Sequence, residues 1–356
     1  MMSTRIGLAV VTFVSVAVAT ELAAHAGSAA VLGALSDVGL LGLVWVCVMQ
    51  FVSLSLCGAA LWLVSDGLSF GSCLTARWIR DGASNLIAVV PGIGEIAGAR
   101  AMALFGAGAG IAAASTVVDV AIESLSQALY TLIGLIPLFL VAEHDEATRW
   151  LAAMAVASVP VAAVYLVTRH QGALGAMERV ILRVARAFHL CEVAAELNIA
   201  RNVHALYGRQ RRIALALAVH LAAWMIGAVQ VWAAAQAMDR PLSLEAALAL
   251  ESLVYAARGA LFVVPWGAGV QEGGFVFVGA VLGLDAAGAI ALSLVLRARD
   301  ALLGTPAVLL WYAAEGRERW INRTRFEGGP EESAAYGECA RTPDPDRVAR
   351  ISGRTQ

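Results

Sequence analysis

The sequence predicts an all-α polytopic membrane protein, with about six spanning helices and two re-entrant broken-helix hairpins arranged as inverted repeats. Three observations carry that expectation. Of the 356 residues, 60% are hydrophobic and only 15% charged, with a mean hydropathy of +0.74, far more apolar than a water-facing surface tolerates. Apolar runs approaching or exceeding the roughly 20 residues needed to cross a hydrocarbon core of about 30 Å recur along the chain. Two further apolar stretches are each broken at a Pro/Gly cluster, and the two breaks resemble one another.

The runs fall at residues 6–20, 38–64, 111–141, 150–167, 213–238 and 286–314. The first follows Arg5 and precedes Ala-rich sequence, so it has features of a secretory signal as well; it is read as a membrane helix. The broken stretches are 82–105, interrupted at Pro91-Gly92-Ile93-Gly94, and 244–282, interrupted at Pro265-Trp266-Gly267-Ala268-Gly269. Proline removes a backbone donor and glycine permits non-helical dihedrals, so each stretch is expected to form two half-helices joined by an irregular turn. Such a turn survives at membrane depth only where protein or a wet cavity surrounds it. The alternative for each is one kinked spanning helix. Residues 1–315 thus read as a membrane domain, with repeat one at about 38–141 and repeat two at about 213–314. An amphipathic cytoplasmic helix is expected at about 175–200, and a disordered cytoplasmic tail at 316–356.

Charge placement sets the expected topology. With Arg5 cytoplasmic, a first hairpin entering from inside puts Arg77, Arg80 and Arg100 on the inner side. The acidic Glu143-His144-Asp145-Glu146 then falls outside, while the arginine-rich 169–212 loop and both termini are cytoplasmic, as the positive-inside rule requires. The second hairpin enters from outside. All 25 basic residues are arginine, which with the alanine load hints at a GC-rich bacterial source. The expected location is the bacterial inner membrane.

The two hairpins lie among charged groups that are costly at membrane depth unless paired or hydrated. Val89-Val90-Pro91 before Gly94-Glu95 parallels Val263-Val264-Pro265 before Gly269-Val270-Gln271-Glu272, each with an upstream arginine, Arg80 or Arg258. Asp119 and Glu123 are four apart and share one helical face with Gln127. A polar headgroup groove is therefore expected from Arg80, Asn85, Glu95, Asp119, Glu123, Arg258, Gln271, Glu272, Arg297 and Asp300. Its hairpin turns are Pro91, Gly92, Gly94, Pro265, Gly267 and Gly269.

Other classes find little support. The net charge of −2 and the lack of a solvent-facing basic surface argue against nucleic acid. Five scattered cysteines without CxxC, and six histidines without HxxxH spacing, indicate neither a disulfide framework nor a metal site. No phosphate-loop lysine and no GxSxG elbow occur, and no cofactor is expected.

The pattern of Arg80, Asn85, Pro91-Gly92-Ile93-Gly94-Glu95, then 265–274 and Arg297, resembles the flippase-like transmembrane domain of lysylphosphatidylglycerol synthases, over roughly residues 5–315. Within it, the strings at 251–259 and 269–274, with Arg297-Ala298-Arg299-Asp300, are similar to the HpnL-type membrane proteins associated with hopanoid biosynthesis. The resemblance implies an inner-membrane lipid translocase that moves hopanoids toward the outer membrane and is not an enzyme. Its partners would be a hopanoid or related amphiphile and other lipid-transport or hopanoid-synthesis proteins. Many members carry an arginine beside the first acid of the helix after the first hairpin. Here Val120 stands in its place, so that face is expected to lack a cation for a lipid phosphate and to suit a neutral polyol. No aminoacyl-transferase domain follows the last apolar run, so a complete lysylphosphatidylglycerol synthase is not expected. Two other functions stay open: a partner that presents lipid to a separate enzyme, and a membrane-embedded transferase using Asp119 and Glu123 as acid and base.

Overall fold

The computed structural model describes residues 28–87, 92–141, 198–240, 242–260 and 269–326. The expected spans at 6–20 and 150–167, the acidic patch at 143–146, nearly all of the amphipathic 175–200 segment, Pro91, Pro265, Gly267 and residues 327–356 lie outside the described residues.

Every regular element among the described residues is an α-helix: α1 Ser28–Val64, α2 Phe70–Leu86, α3 Ile93–Leu104, α4 Ala109–Val141, α5 Ile199–Tyr207, α6 Gln210–Ala237, α7 Leu244–Ala260, α8 Val270–Val281 and α9 Ala286–Phe326. Segments Ser36–Val64, Ala109–Pro137 and Gln210–Ala237 are long and apolar enough to cross a membrane. The chain is an all-α polytopic membrane protein. The long α1 is kinked at Gly39, whose φ of 66° leaves the helical region. Helix α9 continues to Phe326, so residues 316–326, expected as part of a disordered tail, are helical. Arg100 on α3 helps hold that extension through Glu315, at 2.8 Å, and Glu318.

Both broken stretches are hairpins of packed half-helices, α2 against α3 and α7 against α8. At 17, 12, 17 and 12 residues, none of the four arms reaches the length of an ordinary span. The first arm starts twelve positions before the predicted 82. Its N-cap is Ser69, which accepts from the Ser72 amide at 3.1 Å. The sequence reading missed this portion because Arg77, Arg80 and Asp81 interrupt its apolar character.

The half-helices that follow the breaks begin alike. Gly92 caps α3 at φ 83° and Gly269 caps α8 at φ 76°, a left-handed conformation that glycine adopts without a Cβ penalty. Three residues later each carries a glutamate, Glu95 or Glu272. The same constant offset relates Gly82 to Gly259 and Glu123 to Asp300. It also relates contacts: Gly82 packs on Gly304, as Gly259 packs on Gln127. The expected equivalence of Gly94 with Gly269 is therefore corrected to Gly92 with Gly269.

Exchanging α1–α4 for α6–α9 preserves the main packing pairs. Helix α2 lies on α9 as α7 lies on α4, and α1 lies on α9 as α6 lies on α4. The two halves meet at α1 and α6, which run antiparallel. Gly42 approaches Ala237 at one end, and Ser53 Oγ donates to the Ala223 carbonyl at 3.0 Å farther along. A two-fold that relates antiparallel helices lies across them, so the repeats are inverted.

Loop contacts agree. On one side Asp66, after α1, accepts from Arg209 at 2.5 Å and Arg212 at 3.4 Å, just before α6; the Arg209 hydrogen bond holds the Asp66 carboxyl below its usual range. Ser115, near the start of α4, reaches the Val64 carbonyl at 3.5 Å on that side, so α2–α3 both leaves from and returns to it. On the other side Arg240, before α7, pairs with Asp285, before α9, and α7–α8 dips in from there.

Candidate functional site

The hairpins bring a dense charge cluster to the centre of the bundle. Arg77 and Arg80, one helical turn apart on α2, face Asp119 and Glu123, one turn apart on α4. Arg77 donates to both Glu123 oxygens, at 2.5 and 3.0 Å, and lies 3.3 Å from Asp119. Arg80 donates to Asp119 at 3.0 Å, lies 2.8 Å from Glu123 and reaches Glu95 on α3 at 3.3 Å. The other Asp119 oxygen meets His220 Nε2 of α6 at 3.0 Å. Asp119 is 1% exposed and His220 0%. Arg77 Nε also sits 3.0 Å from Asp81, although the angle is too poor for a hydrogen bond.

Two sequence expectations are corrected here. Arg77 and Arg80 are buried in the hairpin arm rather than lying at the inner surface. The acids of α4 do not form an uncompensated acceptor stripe either. Val120 is indeed no cation, but Arg77 and Arg80 supply two guanidiniums from the neighbouring hairpin.

Next to this cluster is a cavity of ≈ 210 Å³, space for about seven waters at liquid density. Hairpin one lines it with Arg77, Arg80, Asp81, Ser84 and Asn85, α4 with Glu123, and hairpin two with Glu251, Tyr255 and Arg258. Asp300 of α9 and residues of α1 and α6, among them Gln50, Ser53, Cys57 and Trp224, complete the wall. Of the ten expected groove residues, Arg80, Asn85, Glu123, Arg258 and Asp300 line the cavity. Asp119 and Glu95 stand behind, bonded to the α2 arginines. Gln271 orients Arg258, accepting from it at 3.0 Å while donating to Ser293 at 3.0 Å. Glu272 and Arg297 do not line the cavity. They form a bidentate pair at 2.6 and 3.2 Å, and Glu272 also accepts from the Gly269 amide at 2.9 Å, fixing the start of α8.

Sequence reasoning left out of the groove Arg77, His220, Arg299 and the aromatic wall. Arg299, 2% exposed, donates to Asp300 at 2.7 Å and to Gln230 at 2.6 Å. Trp224 stacks on Tyr130 and meets Tyr255 edge-on, with ring centroids 5.8 and 5.1 Å apart, and its Nε1 donates to Ser126 Oγ at 3.1 Å. Arg258 stands 5.1 Å above the Tyr255 ring. The spacing Arg77, Arg80, Asp81 puts three charges on one face of a helix, a signal that could have marked α2 as part of the site.

Gly94 belongs to the packing of α3 on α2 rather than to the turn. A Cβ there would lie 1.9 Å from Ser84 Oγ and 2.6 Å from the Arg80 carbonyl. The hydroxyl can rotate away; the backbone carbonyl cannot. Gly94→Ala is expected to destabilise by about 1–3 kcal/mol through overpacking, and adding Ser84→Ala should recover little. Thermal unfolding in detergent checks this, and full recovery in the double variant would show that the carbonyl contact is unimportant.

Cys57, Glu123 and His220 bring three possible metal-ligand atoms within 4.8 Å of one another. Both Glu123 oxygens already accept from guanidiniums, which a cation at that point would have to displace.

A second hollow, ≈ 390 Å³, lies against the other faces of α1 and α9, lined by Leu40, Leu43, Val44, Cys47, Val48, Phe51, Val52, Leu302 and Leu303. On α1, Gln50 and Ser53 face the polar cavity while Phe51 and Val52 face this apolar one; on α9 the division falls between Asp300 and Leu302. Polar and apolar compartments are thus separated by one pair of helices.

No curated protein and no solved structure matches the chain. The family model described as the lysylphosphatidylglycerol synthase TM region matches residues 5–307. This chain, with its paired half-helix hairpins around a charged cavity, therefore belongs to the lysylphosphatidylglycerol synthase TM region family.

Proposed function

We propose that this protein translocates an amphiphilic lipid, passing the headgroup through the cavity between the hairpins while the apolar body stays in the bilayer against α1 and α9. The observation that carries this reading is a charged cavity built from both inverted repeats, with an apolar hollow one helix pair away. Broken helices from two repeats meeting near the bilayer midplane are a recurrent transporter design. The family description supports a lipid as the cargo.

The cavity also favours a class of headgroup. Its lining holds three arginines, Arg77, Arg80 and Arg258, against four carboxyls, Asp81, Glu123, Glu251 and Asp300. A further anion gains little from Arg77 and Arg80, which are already paired to acids, so Arg258 alone has donors for it, whereas hydroxyls can both donate to the cavity carboxyls and accept from Arg258. A neutral polyol or amine-bearing headgroup fits better than an anionic phosphate. This favours a hopanoid or related amphiphile as cargo; the resemblance to HpnL-type proteins is what suggests movement from the inner toward the outer membrane, without chemical change and alongside hopanoid-synthesis or lipid-transport proteins.

Purified protein in vesicles should accelerate transbilayer movement of a fluorescent monoglucosyl lipid over that in protein-free vesicles, and should do so more than for labelled phosphatidylglycerol. No acceleration of either would reduce the protein to a lipid-presenting partner, and a change in lipid mass would make it a transferase.

The arginine asymmetry supports a cytoplasmic position for the Arg209 side and both termini. In a cysteine-free background, a cysteine at Asp239 should react with impermeant maleimide on intact spheroplasts, and one at Arg209 only after permeabilisation. Equal labelling of both without permeabilisation would overturn the opposite-sided arrangement.

A further inference from the structure

The carboxyls of the central cluster are held by arginines, with one exception. Asp81, Asp119 and Glu123 face Arg77 or Arg80, Glu95 faces Arg80, Glu272 faces Arg297 and Asp300 faces Arg299. Glu251, on the cavity wall and 2% exposed, makes no ion pair within 4.0 Å among the described residues, and its Oε2 is buried without a hydrogen-bond partner.

Among the described residues its surroundings give it no fixed counter-charge. From α9, Arg299 is committed to Asp300 and Gln230. On its own helix, Arg258 is committed to Gln271 of α8 and lies over Tyr255. From α6, Gly227 packs against it and brings no charge: a Cβ there would stand 3.2 Å from Glu251 Oε1. From α4 comes Tyr130. The Tyr130 hydroxyl and Gln230 Nε2 are also buried without hydrogen-bond partners among the described residues, so three polar atoms from three helices are left unsatisfied by them in this part of the bundle. An ionised carboxylate is disfavoured there, because Oε2 is buried behind the cavity wall and no cation among the described residues bonds to it. A neutral acid, carrying its own O–H donor, is accommodated.

We propose that Glu251 is the proton-binding site through which lipid movement is coupled to a proton gradient, an inference that rests on the translocase reading. Water entering the cavity from one face delivers a proton, which forms an O–H bond on the Glu251 carboxyl. When the cavity opens to the other face, the hydrated carboxyl releases that proton to water, leaving the carboxylate. One proton crosses per cycle, and no other bond is made or broken.

The test uses the full chain in vesicles holding a trapped pH dye and the fluorescent monoglucosyl lipid. With one proton per lipid, a pH difference of one unit should drive an inside-to-outside lipid ratio on the order of tenfold. Glu251→Gln keeps the shape and the neutral state, so it should fold normally and equilibrate the lipid to a ratio near one whatever the gradient. Infrared difference spectra supply an arm independent of transport: a protonated-carboxyl stretch should disappear on alkalinisation of wild type and be missing from Glu251→Gln. Wild-type equilibration that ignores the gradient, with no lipid-dependent proton flux, overturns the coupling while leaving translocation intact. Absence of the infrared band overturns Glu251 as the site. Absence of any lipid movement in either protein removes the translocase reading, and the coupling with it.

Discussion

Arg77→Ala should destabilise the protein by about 3–5 kcal/mol, the range expected when one partner of a buried ion-pair network is removed and the others keep their charge. Arg77 is 5% exposed and has carboxylates from three positions around it, Asp81 one turn along its own helix and Asp119 and Glu123 on α4. Arg80 and His220 still reach Asp119 when it is gone. The Glu123 carboxylate loses its two-pronged partner, and Asp81 loses its nearest cation. Because orphaned charge is the main cost, neutralising an acid should restore part of the loss: Arg77→Ala with Glu123→Gln is expected to be more stable than Arg77→Ala alone. Arg77→Lys should rescue poorly, since one ammonium cannot reproduce the planar fork that spans two Glu123 oxygens. Thermal unfolding in detergent and the monodisperse fraction after solubilisation measure all four proteins. A melting temperature for Arg77→Ala within error of wild type would mean that the cluster is hydrated and that its pairing contributes little to the fold.

That residue also shows where the sequence became unreadable. Apolar runs located α1, α4 and α6, and the Pro/Gly clusters located both hairpin breaks, because length and backbone chemistry are local properties. The first arm of hairpin one was read short, because a half-helix with two arginines and an aspartate does not look apolar until its partners are known. Helical spacing placed Asp119 and Glu123 on one face, but it cannot reveal which cations face them: Arg77 lies 42 positions from Asp119, and His220 lies 101. The consequence was an inverted electrostatic expectation. Val120 by itself implies a missing cation, whereas the positive charge arrives from another helix. Under the constant offset that joins Gly92 to Gly269, Val120 corresponds to Arg297, so the repeat that lacks the arginine on its long helix has arginines on its hairpin instead.

Arg258→Ala should do the opposite of Arg77→Ala, leaving the fold nearly intact and removing function. Both arginines line the same cavity. Arg258, however, has no carboxylate within ion-pairing distance among the described residues. Its contacts are one hydrogen bond to the neutral Gln271 and the face of Tyr255. Deleting it orphans no hydrogen-bonded anion, and the loss of a single hydrogen bond and a cation–π contact amounts to about 1–2 kcal/mol. Its guanidinium has donors to spare for a headgroup. Losing a charge-assisted hydrogen bond to the cargo is worth about 1.5–3 kcal/mol, on the order of 10- to 100-fold in translocation rate. The two arginines then separate pairing from cargo contact within one site: one variant should fail in the melting experiment, the other in the vesicle assay. Arg258→Lys should retain part of the rate, because a point charge still donates even though it lacks the planar fork of the guanidinium over Tyr255. If Arg258→Ala lowers abundance and melting temperature as far as it lowers translocation, Arg258 is a structural partner of the Gln271–Ser293 bonds, and the headgroup must be read by Asn85, Asp300 and the remaining wall.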